Sequence, residues 1–261
     1  MHRMLSKWSM ALKVLPLALA ATLLKYGVHA LDLEVISLNP LFSGLLAATV
    51  FLIGFLISGV LTDYKESERL PGELAVSLEA IFDEGTIVRR GKGRQEGSAL
   101  LREVQGIARS IQEWLYGRET FGQVMTGVTR LNDHFLALEA VTLPPFITRM
   151  KQEQTALRRV LTRVRTIKET SFVVSAYTIA EIMSVLLIIG FLLAKIDPFH
   201  ESVFFVGLIT FLFAYMLRLI KDLDDPFEYR EGSRDADEVS LKPLQELEAR
   251  MQSWFEGDLT P

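Results

Sequence analysis

The sequence predicts an all-α membrane protein with four bilayer-spanning helices and a large helical region inserted between the second and third. Three observations predict it. Four long blocks hold most of the apolar residues, which make up 49% of the 261 positions. Each is close to the roughly 20 residues that a spanning helix needs. Between the second and third blocks lies a charged stretch with helical apolar periodicity. Finally, Lys and Arg cluster on the flanks that alternate along the chain, as they do when basic flanks stay cytoplasmic.

The first block, Ala11–Leu31, carries Lys13 and Lys25 near its ends, where both could snorkel to the interfaces. It has a rival reading as a signal peptide, because Val28-His29-Ala30 resembles a small-residue cleavage site, although Lys25 and Tyr26 lie close to it. Leu41–Thr62 is the second span, Phe172–Ala194 the third, with Glu181 inside it, and Val203–Ile220 the fourth, with Arg218 near its end. Arg3 and Lys7 precede the first span, and Arg158, Arg159, Arg163, Arg165 and Lys168 precede the third. The link LDLEVISLNP has no basic residue. Retaining all four spans, with both termini and the insert cytoplasmic, satisfies this distribution. Loss of the first would break the parity. The expected layout is therefore 1–62 for the N-terminal tail and two spans, 63–170 for the cytoplasmic helices, 171–220 for two further spans and 221–261 for an acidic tail. The absence of cysteine and the short links favour a bacterial inner membrane.

Within the insert, Pro71 starts a helix on which Leu74, Leu78 and Ile81 recur at helical spacing. Asp83–Gly97, rich in glycine and charge, reads as a loop. Ser98 is the expected cap of a helix with Leu101, Val104, Ile107, Ala108, Ile111 and Leu115 on one face. Phe121–Val141 is a further helix, Pro144-Pro145 a break, and Ile147–Thr170 a basic helix. Asp224-Asp225-Pro226 should stop the fourth span. A last helix over Pro243–Phe255 places Leu244, Leu247, Met251 and Trp254 on one side.

Several function classes are disfavoured. The insert has 17 basic and 15 acidic side chains, too balanced for a nucleic-acid surface. No GxSxG, HExxH or P-loop motif occurs, and His2, His29, His134 and His200 have no close metal-ligand spacing, so an enzyme is not expected. Residues 221–261 hold 12 acidic and 5 basic side chains. There Asp222, Asp224, Asp225, Glu228 and Glu231 are candidate calcium ligands, diluted by Lys221 and Arg230 and lacking EF-hand spacing. No other cofactor is expected. Glu181 has two readings: part of an ion or proton path, or a neutral acid hydrogen-bonded to Tyr177, Ser184 or a neighbouring helix. On the second span, Ala47, Phe51, Phe55 and Gly59 fall at steps of four and share a face. Such a face is either a packing stripe, with Gly54 and Ser58 admitting a close neighbour, or an apolar constriction.

The run Phe51, Gly54, Phe55, Thr62, Asp63, Tyr64 resembles the second-span pattern of the bestrophin superfamily of ion channels. Asp225-Pro226-Phe227 resembles the motif that follows the family's fourth span, and EVSLKPLQEL the apolar segment after it in bacterial members. The resemblance implies a homopentamer in the bilayer around one pore that passes small inorganic ions, with Phe51 and Phe55 at its neck. Ala47 stands where the family commonly has a larger aliphatic, which implies one wider ring. The family passes chloride and other small anions, while the acidic tail here argues the other way. The alternative is a membrane-anchored interaction or sensor protein that does not conduct, acting through its cytoplasmic helices, above all the basic helix Arg149–Lys168.

Overall fold

The computed structural model describes residues 2–170, 174–229 and 238–257. In chain order the elements are α1 (His2–Ala30), β1 (Ile36–Ser37), α2 (Pro40–Ser67), α3 (Leu70–Arg90), α4 (Arg94–Leu115), α5 (Phe121–Glu139), α6 (Pro144–Glu169), α7 (Val174–Leu193), β2 (Ala194–Lys195), α8 (Phe199–Asp224) and α9 (Lys242–Gly257). Among the described residues the protein is all-α apart from β1 and β2, which form a two-residue parallel ladder with no signal in the apolar pattern. Its residues fall into two compact units. One holds Met1–Tyr64 with Ser171–Asp225, the other Lys65–Thr170 with most of the chain after Pro226.

The first unit is built from α1, α2, α7 and α8, which supply four stretches long and apolar enough to cross a membrane. Ile53, Leu56 and Val60 of α2 pack with Ala180 and Leu187 of α7 and with Phe213 and Ile220 of α8. These positions recur three or four apart on α2 and seven apart on α7 and α8, so each helix buries one stripe. A glycine makes room for an aromatic ring between α2 and α7: a Cβ on Gly190 would stand 2.6 Å from the Phe42 ring. Residues 171–173, where the third span was expected to start, lie outside the described residues.

The second unit packs α3 against α4, α6 and α9, with α5 between α4 and α6. Its interior is apolar: Leu74, Leu78, Ile81, Leu100, Leu101, Val104, Ile111, Val128, Leu131, Leu157 and Leu161 are all fully buried. Three expectations are corrected here. The expected loop over Asp83–Gly97 is instead the end of α3, a turn at residues 91–93 and the start of α4. Gly85 lets the two helices touch, since a Cβ there would meet Leu101 at 3.0 Å and Leu100 at 3.1 Å. Charge in this stretch is accommodated by an ion pair of 2.9 Å between the buried Glu84 and Arg149. Ser98 is not a cap but a residue inside α4, its hydroxyl donating to the Arg94 carbonyl. Pro144 and Pro145 begin α6 rather than break the chain, because the first helical turn needs no donor there.

A true cap opens α5: the Thr120 side chain accepts from the Gln123 N–H while Gln123 reaches back to the Thr120 N–H. The tail closes the unit through α9, whose Leu244, Leu247 and Met251 are buried. Trp254 meets Phe82 edge-on at 5.5 Å, and Arg89 lies over the Trp254 ring at 4.5 Å. Phe227, from the Asp-Pro-Phe segment, is wholly buried, and Lys168 donates to the Leu115 carbonyl at 2.8 Å.

Candidate functional site

The two sides of α2 differ sharply. Thr49, Ile53, Leu56 and Val60 point into the unit, whereas Ala47, Phe51 and Phe55 are exposed. Phe51 is 77% and Phe55 59% exposed, large values for aromatic side chains one turn apart. Gly54, also exposed, has open space where a Cβ would stand. The sequence placed Ala47, Phe51 and Phe55 on one face, and the structure puts that face on the surface of a single chain. An apolar surface stripe of this kind can line a narrow pore, where it resists filling by water, or pack on another helix.

The in-span polar residues are placed less simply. Glu181 is exposed on α7, whereas Ser184, nearly one turn on, is buried with no hydrogen-bond partner among the described residues. Glu181 makes no hydrogen bond to Tyr177 or Ser184, two of the partners named in one of its two readings. The helical stripe of α7 turns Ala180, Ser184 and Leu187 inward, and Glu181 falls outside it. Tyr177 instead places its hydroxyl beside Asp224 without a well-aligned hydrogen bond. Arg218 of α8 lies 3.2 Å from Asp222 one turn on.

One cluster was missed. Lys25 was expected to snorkel to an interface, yet it is 0% exposed. Its ammonium donates to the Leu192 carbonyl at 3.0 Å and the Ala194 carbonyl at 2.6 Å, and stands 2.7 Å from a Glu34 oxygen. The lysine thus caps the C-terminal end of α7, where carbonyls lack helical partners and the dipole is negative. His29, one turn after Lys25, places Nδ1 3.0 Å from the other Glu34 oxygen and stacks on Phe199 at 3.9 Å. Burial pushes the Glu34 carboxyl up, but the hydrogen bonds and charges of Lys25 and His29 outweigh it and hold the group below its ordinary value. The available signal was Lys25 and His29 at i and i+4 ahead of a lone glutamate in an apolar link.

The remaining candidates are accounted for locally. Among the described residues no three Asp, Glu or His side chains converge as metal ligands, although Asp222, Asp224, Asp225 and Glu228 follow one another closely in the chain. Arg230 and Glu231 lie outside the described residues. On α6, Arg163 grips Glu66 through two hydrogen bonds of 2.7 and 2.5 Å, and Arg158 donates to Thr129. Arg165 pairs with Glu169, and Lys151 donates to Asn132, so much of the basic charge is engaged inside the unit. His134 sits 3.8 Å from Glu103, as a packing residue does. A cleft of about 640 Å³ between α4 and α5 has its carboxylates occupied: Glu103 by Arg130, and Glu119 by Ser110.

No protein-family profile matches the sequence, and no curated protein does. Solved structures do. A bacterial bestrophin homologue from Klebsiella pneumoniae carrying a tryptophan-to-alanine substitution superposes with a TM-score of 0.78 at 14% identity, over 94% of this chain and 96% of that one. The fold is the bestrophin fold. A zinc-phased structure of the Klebsiella homologue gives a TM-score of 0.75 at 13% identity, over 94% and 96% of the two chains. A leucine-to-threonine variant gives 0.74 at 14% identity, over 94% and 97%. With the four apolar helices, this bestrophin-like fold makes the chain a multi-pass membrane protein.

Proposed function

We propose that the chain is the subunit of an oligomeric ion channel, a homopentamer around one central pore, with Ala47, Phe51 and Phe55 forming an apolar neck in the second span. The observation that carries this reading is the exposed aromatic stripe on α2 in a chain with the bestrophin fold. Copies arranged around an axis with that stripe inward would surround a ring of phenylalanines, and such a ring excludes a continuous water column until it widens. Conduction is then passive, and opening follows a shift of α2 that wets the neck. Ala47 leaves more room than the two phenylalanines, so the narrowest rings are Phe51 and Phe55.

The permeant species in this reading is a small anion such as chloride. The acidic tail repels anions only if it lines the exit. Both termini and the second unit face the cytoplasm of a bacterial inner membrane, by the distribution of Lys and Arg. The chain is not an enzyme, and needs no cofactor to conduct.

Reconstitution of the purified protein in liposomes, with flux of chloride and of potassium measured separately, tests the proposal. Flux in the wild type that rises when Phe51 or Phe55 becomes alanine supports the neck. Silence of the wild type and both variants toward every small ion contradicts it.

A further inference from the structure

Two opposite charges within the spans have bonding capacity left unused among the described residues: all of it at Glu181, and the two terminal nitrogens at Arg218. Glu181 lies seven residues into α7, about 10 Å along it at 1.5 Å per residue. It is exposed and has no hydrogen-bond or ion-pair partner among the described residues. Arg218 lies six residues before the end of α8, about 9 Å along from that end. Its side chain is 41% exposed. Nε hydrogen-bonds to Asp222, and the two terminal nitrogens make no hydrogen bond within the described residues. These helix ends are level, since Asp224 at the end of α8 stands beside Tyr177 in the first turn of α7.

Hydrocarbon offers Glu181 no donor, and a carboxylate facing lipid at this depth is strongly disfavoured. We propose that Glu181 of one copy pairs with Arg218 of the next, so that the exposed side of α7 is a seam between copies of this chain. The charges are complementary and lie at similar depth; Glu181 has no donor among the described residues, and Arg218 keeps its two terminal nitrogens open beyond its bond to Asp222. Because the two partners are different residues, a head-to-tail contact uses each once per copy and repeats around a closed ring. The exposed Ile182, Val185 and Ile189 continue the apolar surface of α7 beside Glu181. The inference rests on the homo-oligomer proposed above and adds the seam that holds it.

The chain contains no cysteine, so a pair of introduced cysteines reports without background. Glu181→Cys and Arg218→Cys are combined in the full-length protein, which is treated in detergent with a short bismaleimide cross-linker. The expected result is a ladder of covalent multimers on a denaturing gel, with at least tenfold less from either single variant. In parallel, Glu181→Arg and Arg218→Glu should each shift the detergent-solubilised protein from oligomer to lower mass, and the double exchange should restore the oligomer. Cross-links confined within one chain, or oligomers of unchanged mass in both single exchanges, overturn the seam. Wild-type flux, measured separately, would in that case still stand for the channel. A wild-type protein that is monomeric in mild detergent overturns assembly and seam together.

Discussion

Phe51 of α2 and Leu78 of α3 are both large apolar side chains recurring at helical spacing, yet Phe51 is 77% exposed and Leu78 is wholly buried. The same contrast runs through the two units. In the second, apolar faces meet one another, and charged side chains such as Glu84, Arg163 and Glu248 have partners in the same unit. In the first, one stripe per helix is buried, while aromatic rings and an in-span carboxylate are left on the surface. The helical insert closes its apolar core within a single chain, leaving Val76, Ile87, Leu136 and Leu143 on its surface. The spanning unit is complete only with lipid or with copies of itself, and its most unusual side chains lie on the incomplete side.

This contrast can be broken by mutation. The largest effect is expected where a charge is buried for structure alone. Lys25→Met leaves Glu34 and the end of α7 without their cation, and should cost about 3–5 kcal/mol, seen as a lower melting temperature in detergent. Leu78→Ala opens a cavity in the second unit and should cost about 2–5 kcal/mol by the same measurement. Thr120→Ala removes the capping box of α5 and should cost about 1 kcal/mol. Phe51→Ala, by contrast, should change stability by no more than about 0.5 kcal/mol, because the ring is exposed within the chain.

The Lys25–Glu34–His29 clasp also sharpens the comparison through pH. Glu34 titrates in the folded protein below its ordinary value of 4.5. Its contribution is therefore fully present above that value and is lost as pH falls through the lower folded pKa. Melting temperatures recorded from pH 6 downward should fall more steeply for the wild type than for Glu34→Gln across that acidic window. Parallel curves would show that Glu34 contributes no pH-dependent stability.

Much of this could be read from the residues. The four spans, the stop at Asp224 and the buried side of α9 follow from apolar runs, a proline and helical spacing, all of which are local signals. What escaped was long-range. Gly85 looks like a loop residue until Leu100 and Leu101 are brought against it, and only then does its missing side chain explain a helix contact. Lys25 looks like an interfacial anchor because its carbonyl partners lie at residues 192 and 194. For the candidate site, spacing gave the shared face of Ala47, Phe51 and Phe55. It could not give that face's direction, because lipid-facing, packing and pore-lining stripes have the same composition.

Ion flux through liposomes holding the wild-type protein, beside liposomes holding Phe51→Ala and Phe55→Ala, is the most direct test of that direction. The account predicts flux from the wild type that increases in both variants as the neck widens. Flux that is the same in all three, at equal protein density and equal oligomer mass, would contradict the placement of these rings at a neck.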